Sequence, residues 1–145
     1  MEFKANSSKE TKKFSKIVLE RLVKNKNNVL LLVGELGSGK TTFVQGLGLT
    51  LGIKERILSP TFVLNRSYSA PIKKYGFTRL EHFDFYRLKS IKEIEELGFF
   101  ELIKNPEVLV VAEWPELISN IIFNNQKINM FFEYGGEKER IIRII

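Results

Sequence analysis

Apolar residues along the chain form two kinds of pattern, continuous runs and helical repeats. Residues 29–33 and 108–112 are runs of five apolar residues, each followed by turn-forming or charged residues. A short apolar run with such boundaries is typical of a strand buried on both faces of a sheet. Residues 43–51 instead place apolar side chains at intervals of three and four, as an amphipathic helix does. This alternation predicts an α/β fold with a mostly parallel sheet and helices on both of its faces.

The ends of the chain predict a helix and added strands. Ser7 and Glu10 have capping-box spacing, which predicts the start of an amphipathic helix of about four turns. Residues 91–103 predict two short helices joined at Gly98. Residues 127–145 predict a C-terminal β-hairpin that adds antiparallel strands to the sheet.

The middle of the chain is less regular. Residues 66–78 mix small, polar and aromatic residues without a period, which predicts a long hairpin connection. Residues 80–87 predict a strand in which His82 and Asp84 share one face. Residues 115–118 begin with proline and predict a short helix, because proline fits the first helical turn.

A glycine-rich turn follows the first apolar run. Gly34, Gly39, Lys40 and Thr41 fit the spacing G-x-x-x-x-G-K-[ST] of a P-loop. Glycines let successive backbone N–H groups curl around a phosphate at the N-terminus of the next helix. The lysine would bind the β- and γ-phosphates, and the threonine hydroxyl would complete the coordination of Mg²⁺. The residues of this turn expected to contact a nucleotide are Glu35, Leu36, Gly37, Ser38, Gly39, Lys40, Thr41 and Thr42.

An ordinary glycine turn with a surface lysine would match the same motif by chance. The context favours the P-loop, because a strand-like run precedes the turn and a helical repeat follows it. The fold class predicted is therefore a P-loop NTPase-like three-layer sandwich. Gly46 and Gly48 lower the helix propensity after the turn, and we expect them to permit close packing on the sheet.

Composition narrows the chemistry. The 145 residues are 43% hydrophobic and 28% charged, which predicts a single globular domain over residues 1–145. With no cysteine and one histidine, catalysis is expected to use carboxylates, lysines, hydroxyls and Mg²⁺ rather than thiolates or zinc. No apolar segment is long enough for a membrane span or a signal peptide, so we expect no membrane contact and a cytoplasmic location.

The formal net charge of +6 has two explanations. It would suit RNA or an acidic protein partner, but lysine is also the commonest way to solvate a surface, and the composition favours that second explanation. No RNA-binding module signature is present, and the aromatic residues are not interleaved with basic ones as a base-stacking platform requires.

Three residues outside the P-loop are candidates for catalysis. Glu113 ends the second buried strand in the Walker B manner, which would bring it beside the P-loop. The alternative is that the strand simply ends in a glutamate at the protein surface. Asp84 is a carboxylate in apolar company and needs a cation or several donors. Thr61, after Pro60, either supplies a switch-type hydroxyl near the nucleotide or simply opens a strand. His82 is more simply explained as a structural residue and is not included.

Five segments occur in the order found in one family. They are residues 34–43, Ser-Pro-Thr-Phe at 59–62, His-Phe-Asp-Phe-Tyr-Arg-Leu at 82–88, Glu-Leu-Gly at 96–98 and Glu-Trp-Pro-Glu at 113–116. Over nearly its whole length the chain resembles the TsaE family, also called YjeE. These are bacterial ATPases required for making threonylcarbamoyladenosine at position 37 of tRNAs that read codons beginning with adenosine.

The resemblance implies a role for each matching residue. Thr41 and Glu113 would ligate Mg²⁺, and Thr61 would belong to a loop like switch I. Asp84 would assist hydrolysis or order the waters of the metal. Trp114 would lie near the nucleotide.

The resemblance also implies partners. Family members resemble accessory ATPases that dock on the TsaD–TsaB pair and reset it by ATP turnover. By this resemblance the protein would hydrolyse little ATP alone, and it would act on tRNA only indirectly, through the complex. The N-terminal segment, including Thr11, is implied to contact the adenine side. The chain departs from the family at residues 65–68, Asn-Arg-Ser-Tyr, and at residues 70–78, which are longer than usual.

Other nucleotide-dependent functions stay open from the sequence alone. A small P-loop kinase would need a cluster of arginines for its acceptor, and only the scattered Arg66, Arg79 and Arg87 are present. A guanine-nucleotide switch would carry Asp-x-x-Gly and Asn-Lys-x-Asp segments after the P-loop, and neither occurs. A nucleotide-sensing scaffold with incidental hydrolysis would keep tRNA modification after hydrolysis is lost.

Overall fold

Seven strands and four helices alternate along the chain in the computed structural model, which describes residues 1–145. In chain order they are β1 (Glu2–Ala5), α1 (Ser8–Asn25), β2 (Val29–Gly34), α2 (Lys40–Thr50), β3 (Asn65–Ser69), β4 (Arg79–Asp84), α3 (Ile91–Glu96), α4 (Phe99–Ile103), β5 (Val108–Glu113), β6 (Lys127–Tyr134) and β7 (Arg140–Ile144). A 3₁₀ turn, Lys73–Tyr75, lies between β3 and β4.

All seven strands form one mixed sheet in the order β1-β7-β6-β2-β5-β4-β3. The central strands β6, β2, β5 and β4 are parallel, whereas β3 at one edge and β7 and β1 at the other pair antiparallel. The predicted α/β fold with a mostly parallel sheet is confirmed. Two details differ from the prediction. Strand β6 of the C-terminal hairpin pairs parallel to β2, and β1 was not predicted because four residues carry too little pattern.

Alternate side chains of the central strands pack into two separate apolar cores. Leu30 and Leu32 of β2 lie in a cluster of 23 buried residues with α1 and α2. Val29 and Leu31 face a cluster of 12 buried residues that includes α3 and α4, the two short helices predicted on either side of Gly98. Because successive strand residues point to opposite faces, the sheet is covered on both sides, which confirms the three-layer sandwich.

The start of α1 and its contact with α2 follow from local sequence. Ser7 Oγ accepts a hydrogen bond from the Glu10 backbone N–H at 3.2 Å, as the capping-box spacing predicts. A Cβ on Gly46 would lie 2.4 Å from Ser15 Oγ and 2.7 Å from Lys12 Cα. The glycine therefore permits close packing of α2 on α1, whereas close packing on the sheet was predicted.

Three further local predictions are wrong. A Cβ on Gly48 would meet Ile57 Cδ1 at 2.3 Å, so this glycine faces the loop after α2 and not the sheet. Residues 66–69 belong to β3, whose backbone pairs with β4, so the hairpin connection covers only residues 70–78. Residues 115–118 form turns instead of a helix, because the Ile118 and Ser119 backbone N–H groups both donate to the Pro115 carbonyl and the carbonyls of the next two residues accept no backbone hydrogen bond. No helix combines the length and the apolar character needed to cross a bilayer.

Candidate nucleotide-binding site

The glycine-rich turn joins the C-terminal end of β2 to the N-terminus of α2. Gly37 and Gly39 have φ angles of +77° and +106°, in the left-handed region that favours glycine. A Cβ on Gly34 would lie 2.7 Å from the Phe132 carbonyl oxygen of β6, so this position also requires glycine. Tyr134 Oη, on the same strand, donates to the Leu36 carbonyl at 2.5 Å. The turn is thus held between α2 and the neighbouring strand β6.

Lys40 is buried at the first position of α2, with only 5% of its surface exposed. Its Nζ donates to the carbonyl oxygens of Gly34 and, at 3.2 Å, Glu35. The ammonium also lies 5.1 Å from the centre of the Trp114 ring. Burial lowers the pKa of Lys40, and the attraction of nearby carboxylates, Glu113 first, opposes that shift only in part. In this structure the hydrogen bonds of the Lys40 ammonium go to carbonyl oxygens of the glycine-rich turn itself.

Asp84 and Glu113 are register partners at the C-terminal ends of the parallel strands β4 and β5. Both carboxylates are almost fully buried, with 3% and 4% of the residue exposed. Strand β5 also pairs with β2, which delivers the glycine-rich turn to the same edge. The predicted approach of Glu113 to the turn is confirmed by this topology, and the alternative of an exposed strand end is wrong.

His82 is a site residue that the sequence reasoning missed. Its Nε2 lies 2.6 Å from Glu113 Oε2, and the imidazole is fully buried. Because a carboxylate only accepts hydrogen bonds, Nε2 carries the shared proton. The sequence holds one indication of this contact, since His82 and Asp84 share one face of the same strand. Only the register of β4 against β5 brings the histidine to Glu113.

Thr61 lies in a turn before β3, at the rim of the same edge. Its Oγ1 donates to Asp84 Oδ2 at 2.8 Å, while the Tyr86 backbone N–H donates to Asp84 Oδ1 at 2.9 Å. The Leu64 backbone N–H donates to the Pro60 carbonyl at 2.7 Å, which closes the turn. The buried Asp84 carboxylate therefore accepts the hydrogen bonds that its burial requires. The alternative that Thr61 opens a strand is wrong, because β3 begins at Asn65.

Trp114 has a strained backbone next to the site. Its φ is +54°, a value that residues other than glycine rarely adopt. The proline that follows, Pro115, favours an extended conformation for Trp114 as well. In this conformation the centre of the indole ring lies 4.9 Å from the Tyr86 ring centre and 5.1 Å from the Lys40 ammonium. Strain of this kind persists where the surroundings fix the backbone, commonly at functional sites.

Lys40, Thr61, Asp84, Glu113 and Trp114 line one cavity of about 410 Å³, whereas His82 lies outside it and reaches it only through Glu113. Its lining comprises Glu35, Leu36, Gly37, Gly39, Lys40, Thr41, Thr42, Ser59, Thr61, Asp84, Tyr86, Glu113 and Trp114. Ser59 and Tyr86 were not predicted. Two predicted residues do not line it. The Ser38 side chain, within the turn, is buried with an unpartnered hydroxyl, and Thr11 is buried in α1 with its hydroxyl 3.4 Å from the Ser7 carbonyl oxygen.

The oxygen donors in the cavity suit magnesium more than a transition metal. Thr41 offers a hydroxyl, and Glu113 keeps Oε1 available while Oε2 bonds His82. No group of three or more His, Asp and Glu side chains is placed to enclose an ion. Magnesium commonly binds one or two protein oxygens, with waters and substrate phosphates completing an octahedron. The residues present therefore fit that ion.

A mixed sheet covered by helices, with a glycine-rich turn between its central strand and the next helix, defines a P-loop-like α/β protein. The chain belongs to the TsaE family: the family model described as threonylcarbamoyl adenosine biosynthesis protein TsaE matches residues 5–142. Proteins of this family take part in tRNA threonylcarbamoyladenosine biosynthesis.

Individual relatives agree with this assignment. A protein of Rickettsia felis named tRNA threonylcarbamoyladenosine biosynthesis protein TsaE is 38% identical over 97% of this chain and 77% of its own length. The protein of that name from Borreliella burgdorferi is 32% identical over 94% of this chain and 92% of its own. The Rickettsia conorii protein is 41% identical, and the match spans 62% of its length. A crystal structure of Bacillus subtilis YdiB superposes with a TM-score of 0.67 at 25% identity, covering 98% of this chain and 82% of that one.

Proposed function

We propose that this protein is a Mg²⁺-dependent ATPase that serves threonylcarbamoyladenosine modification of tRNA as an accessory subunit of TsaD and TsaB. The observation that carries the proposal is that Lys40, Asp84 and Glu113 line one cavity with the glycine-rich turn. These residues come from three different parts of the chain, and each belongs to a residue type that phosphoryl transfer from ATP uses.

The turn and Lys40 would bind the phosphates. Backbone N–H groups at the start of α2 carry the positive end of the helix dipole, which favours an anion there. Lys40 would exchange its two carbonyl acceptors for phosphate oxygens, which bind a cation more strongly than neutral carbonyls do. Burial of the ammonium strengthens that attraction, because little water is present to screen it.

The two carboxylates support different roles. Glu113 and Thr41 would hold Mg²⁺, which when bound neutralises charge on the phosphates. Asp84 accepts hydrogen bonds from Thr61 and Tyr86, which fixes its orientation at the cavity. A fixed carboxylate at this position would orient the attacking water and accept its proton.

The mouth of the cavity supports a role with partner proteins. Leu36 of the turn and Phe62, next to Thr61, are 88% and 80% exposed. Both flank the polar cleft, so a partner protein seated over its mouth would bury two large apolar side chains. A partner covering them would exclude water from the cleft, which is consistent with hydrolysis that is slow until TsaD and TsaB bind.

The test is ATP hydrolysis by the protein alone, with TsaD–TsaB, and with tRNA added. We expect TsaD–TsaB to stimulate turnover and Lys40→Ala to weaken ATP binding severely. Unchanged ATP affinity in the Lys40 variant would contradict the proposal. Loss of hydrolysis in Glu113→Ala or Asp84→Ala with tRNA modification retained would instead favour a nucleotide-sensing scaffold.

A further inference from the structure

Two adjoining cavities on the surface of α1 and α2 are lined by basic side chains. Their volumes are about 420 and 590 Å³, and they share Lys12 and Leu49. We define the basic groove by its six cationic residues, Lys9, Lys12, Lys13, Lys16, Lys54 and Arg56. Four come from α1 and two from the loop after α2, so the fold brings together charges from two separate segments.

The positive charge of the basic groove is not compensated within the protein. None of its six basic side chains forms an ion pair or a side-chain hydrogen bond, although lysine or arginine forms four ion pairs with carboxylates elsewhere in the chain. Glu55 is the one acidic residue in the lining. Like charges at this density repel one another, and an anionic ligand would relieve that repulsion.

Packing fixes the two sides of the basic groove relative to each other. Gly46 brings the backbones of α1 and α2 into close contact beneath the lysines. On the other side, Gln45 Nε2 donates to the Ile57 carbonyl at 3.0 Å, which holds the loop that carries Lys54 and Arg56. The α1 lysines recur at positions i, i+3, i+4 and i+7 and extend about 10 Å along one helix face.

The chemistry of the lining favours phosphates over a protein surface. The cores of protein interfaces are enriched in aromatic residues and depleted in lysine, and the basic groove has the opposite composition. Leu49 is its one strongly exposed large apolar side chain. Lysine and arginine without aromatic neighbours suit the backbone of a nucleic acid, because stacking on the bases needs aromatic rings.

We propose that the basic groove binds the phosphate backbone of RNA without reading its bases. The choice of RNA rests on the proposed function in tRNA modification. The basic groove and the nucleotide cavity lie along the same helix, since Thr42 lines the cavity and Gln45, one turn further along α2, lines the basic groove. RNA bound there would lie beside the ATP site without entering it.

The experiment measures the binding of a fluorescent, unmodified tRNA transcript to the full-length protein by anisotropy at several salt concentrations. The test variant carries Lys9→Gln, Lys13→Gln and Lys16→Gln, at exposed positions whose side chains form no hydrogen bond or ion pair. The matched control carries Lys24→Gln, Lys92→Gln and Lys138→Gln, which remove the same charge from exposed positions elsewhere.

We expect the test variant to bind tRNA at least tenfold more weakly at about 0.1 M salt, with the slope of log affinity against log salt reduced by about 2 to 3. The control should bind nearly as tightly as the wild type. Adding Lys54→Gln and Arg56→Gln should weaken binding further. An RNA of the same length but unrelated sequence should bind with similar affinity, because the contacts are to phosphate.

Equal losses in test and control variants would overturn the proposal, because binding would then follow net charge alone. Unchanged tRNA binding in the test variant would also overturn the proposal. If that variant kept tRNA binding but lost its association with TsaD–TsaB, the basic groove would be a protein interface. Hydrolysis of ATP without RNA should be the same in both variants. Failure of the ATPase proposal is detected separately, in the Lys40→Ala protein, whose tRNA binding should be retained.

Discussion

His82 Nε2 and Glu113 Oε2 lie 2.6 Å apart in the interior, on neighbouring parallel strands. The histidine is fully buried, so its ring is held by packing and in turn fixes one carboxylate oxygen of Glu113. Partners of this kind orient carboxylates that bind metals without contacting the ion themselves, and Glu113 is the residue for which we propose such a role. We regard His82 as a positioning residue for Glu113.

The first prediction tests that role. His82→Ala should raise the Mg²⁺ concentration needed for half-maximal ATP hydrolysis by about 10- to 100-fold, because Glu113 loses the group that orients it. His82→Gln, which keeps a side-chain donor, should recover part of the loss. Circular dichroism and thermal unfolding provide the control for folding. A purely structural role would lower the stability of both variants and leave the Mg²⁺ dependence unchanged.

The second prediction concerns pH. Burial lowers the pKa of Lys40, so in the folded protein the ammonium loses its proton at a lower pH than an exposed lysine does. ATP affinity should therefore fall as pH rises through that lowered pKa, while other lysines are still charged. Calorimetric titration across this range measures it. Lys40→Arg stays protonated throughout and should bind ATP with little pH dependence, even if more weakly.

The third prediction uses the single tryptophan of the chain. The Trp114 ring lies 5.1 Å from the Lys40 ammonium, so movement of that charge toward a phosphate should change its fluorescence. We expect a saturable change on adding Mg-ATP. A flat titration, with binding established by calorimetry, would remove Trp114 from the nucleotide site. Trp114→Phe serves as the control for signal from the nucleotide itself.

The fourth prediction concerns Thr61. Thr61→Val removes the donor to Asp84 at similar volume, and a hydrogen bond to a charged group contributes about 1.5 to 3 kcal/mol. Hydrolysis should fall by about tenfold or more while ATP affinity changes little. Thr61→Ser keeps the hydroxyl and should retain most activity. Equal activity of the valine and serine variants would show that the hydroxyl has no part in the reaction.

The fifth prediction compares the two glycines inside α2. Gly46→Ala places a methyl group against the Lys12 backbone and should lower the free energy of unfolding by about 1 to 3 kcal/mol, beyond the gain in helix propensity. Gly48→Ala meets only the end of the flexible Ile57 side chain and should cost less. Urea unfolding measures both. A larger loss for Gly48→Ala would contradict the packing of α2 on α1.

Much of the fold follows from the sequence, because its signals are local. The two apolar runs, the capping box at Ser7 and the glycines around Lys40 each specify a strand, a helix start or a turn through neighbouring residues. Strand β3 was missed because an edge strand of polar residues has no apolar period. The pattern at residues 115–118 predicts a helix where the structure has turns, because Pro115 fits the start of either.

The sequence by itself determined the chemical types at the site: a glycine turn, a lysine, two carboxylates and a hydroxyl, each recognisable from its immediate context. Only the tertiary structure decided which of them meet. The pairing of β4 with β5 places Asp84 beside Glu113 and His82 beneath it, while Thr11 and Ser38 remain outside the cavity lining. Strand register joins residues about 30 positions apart, and no local pattern of side chains encodes that pairing.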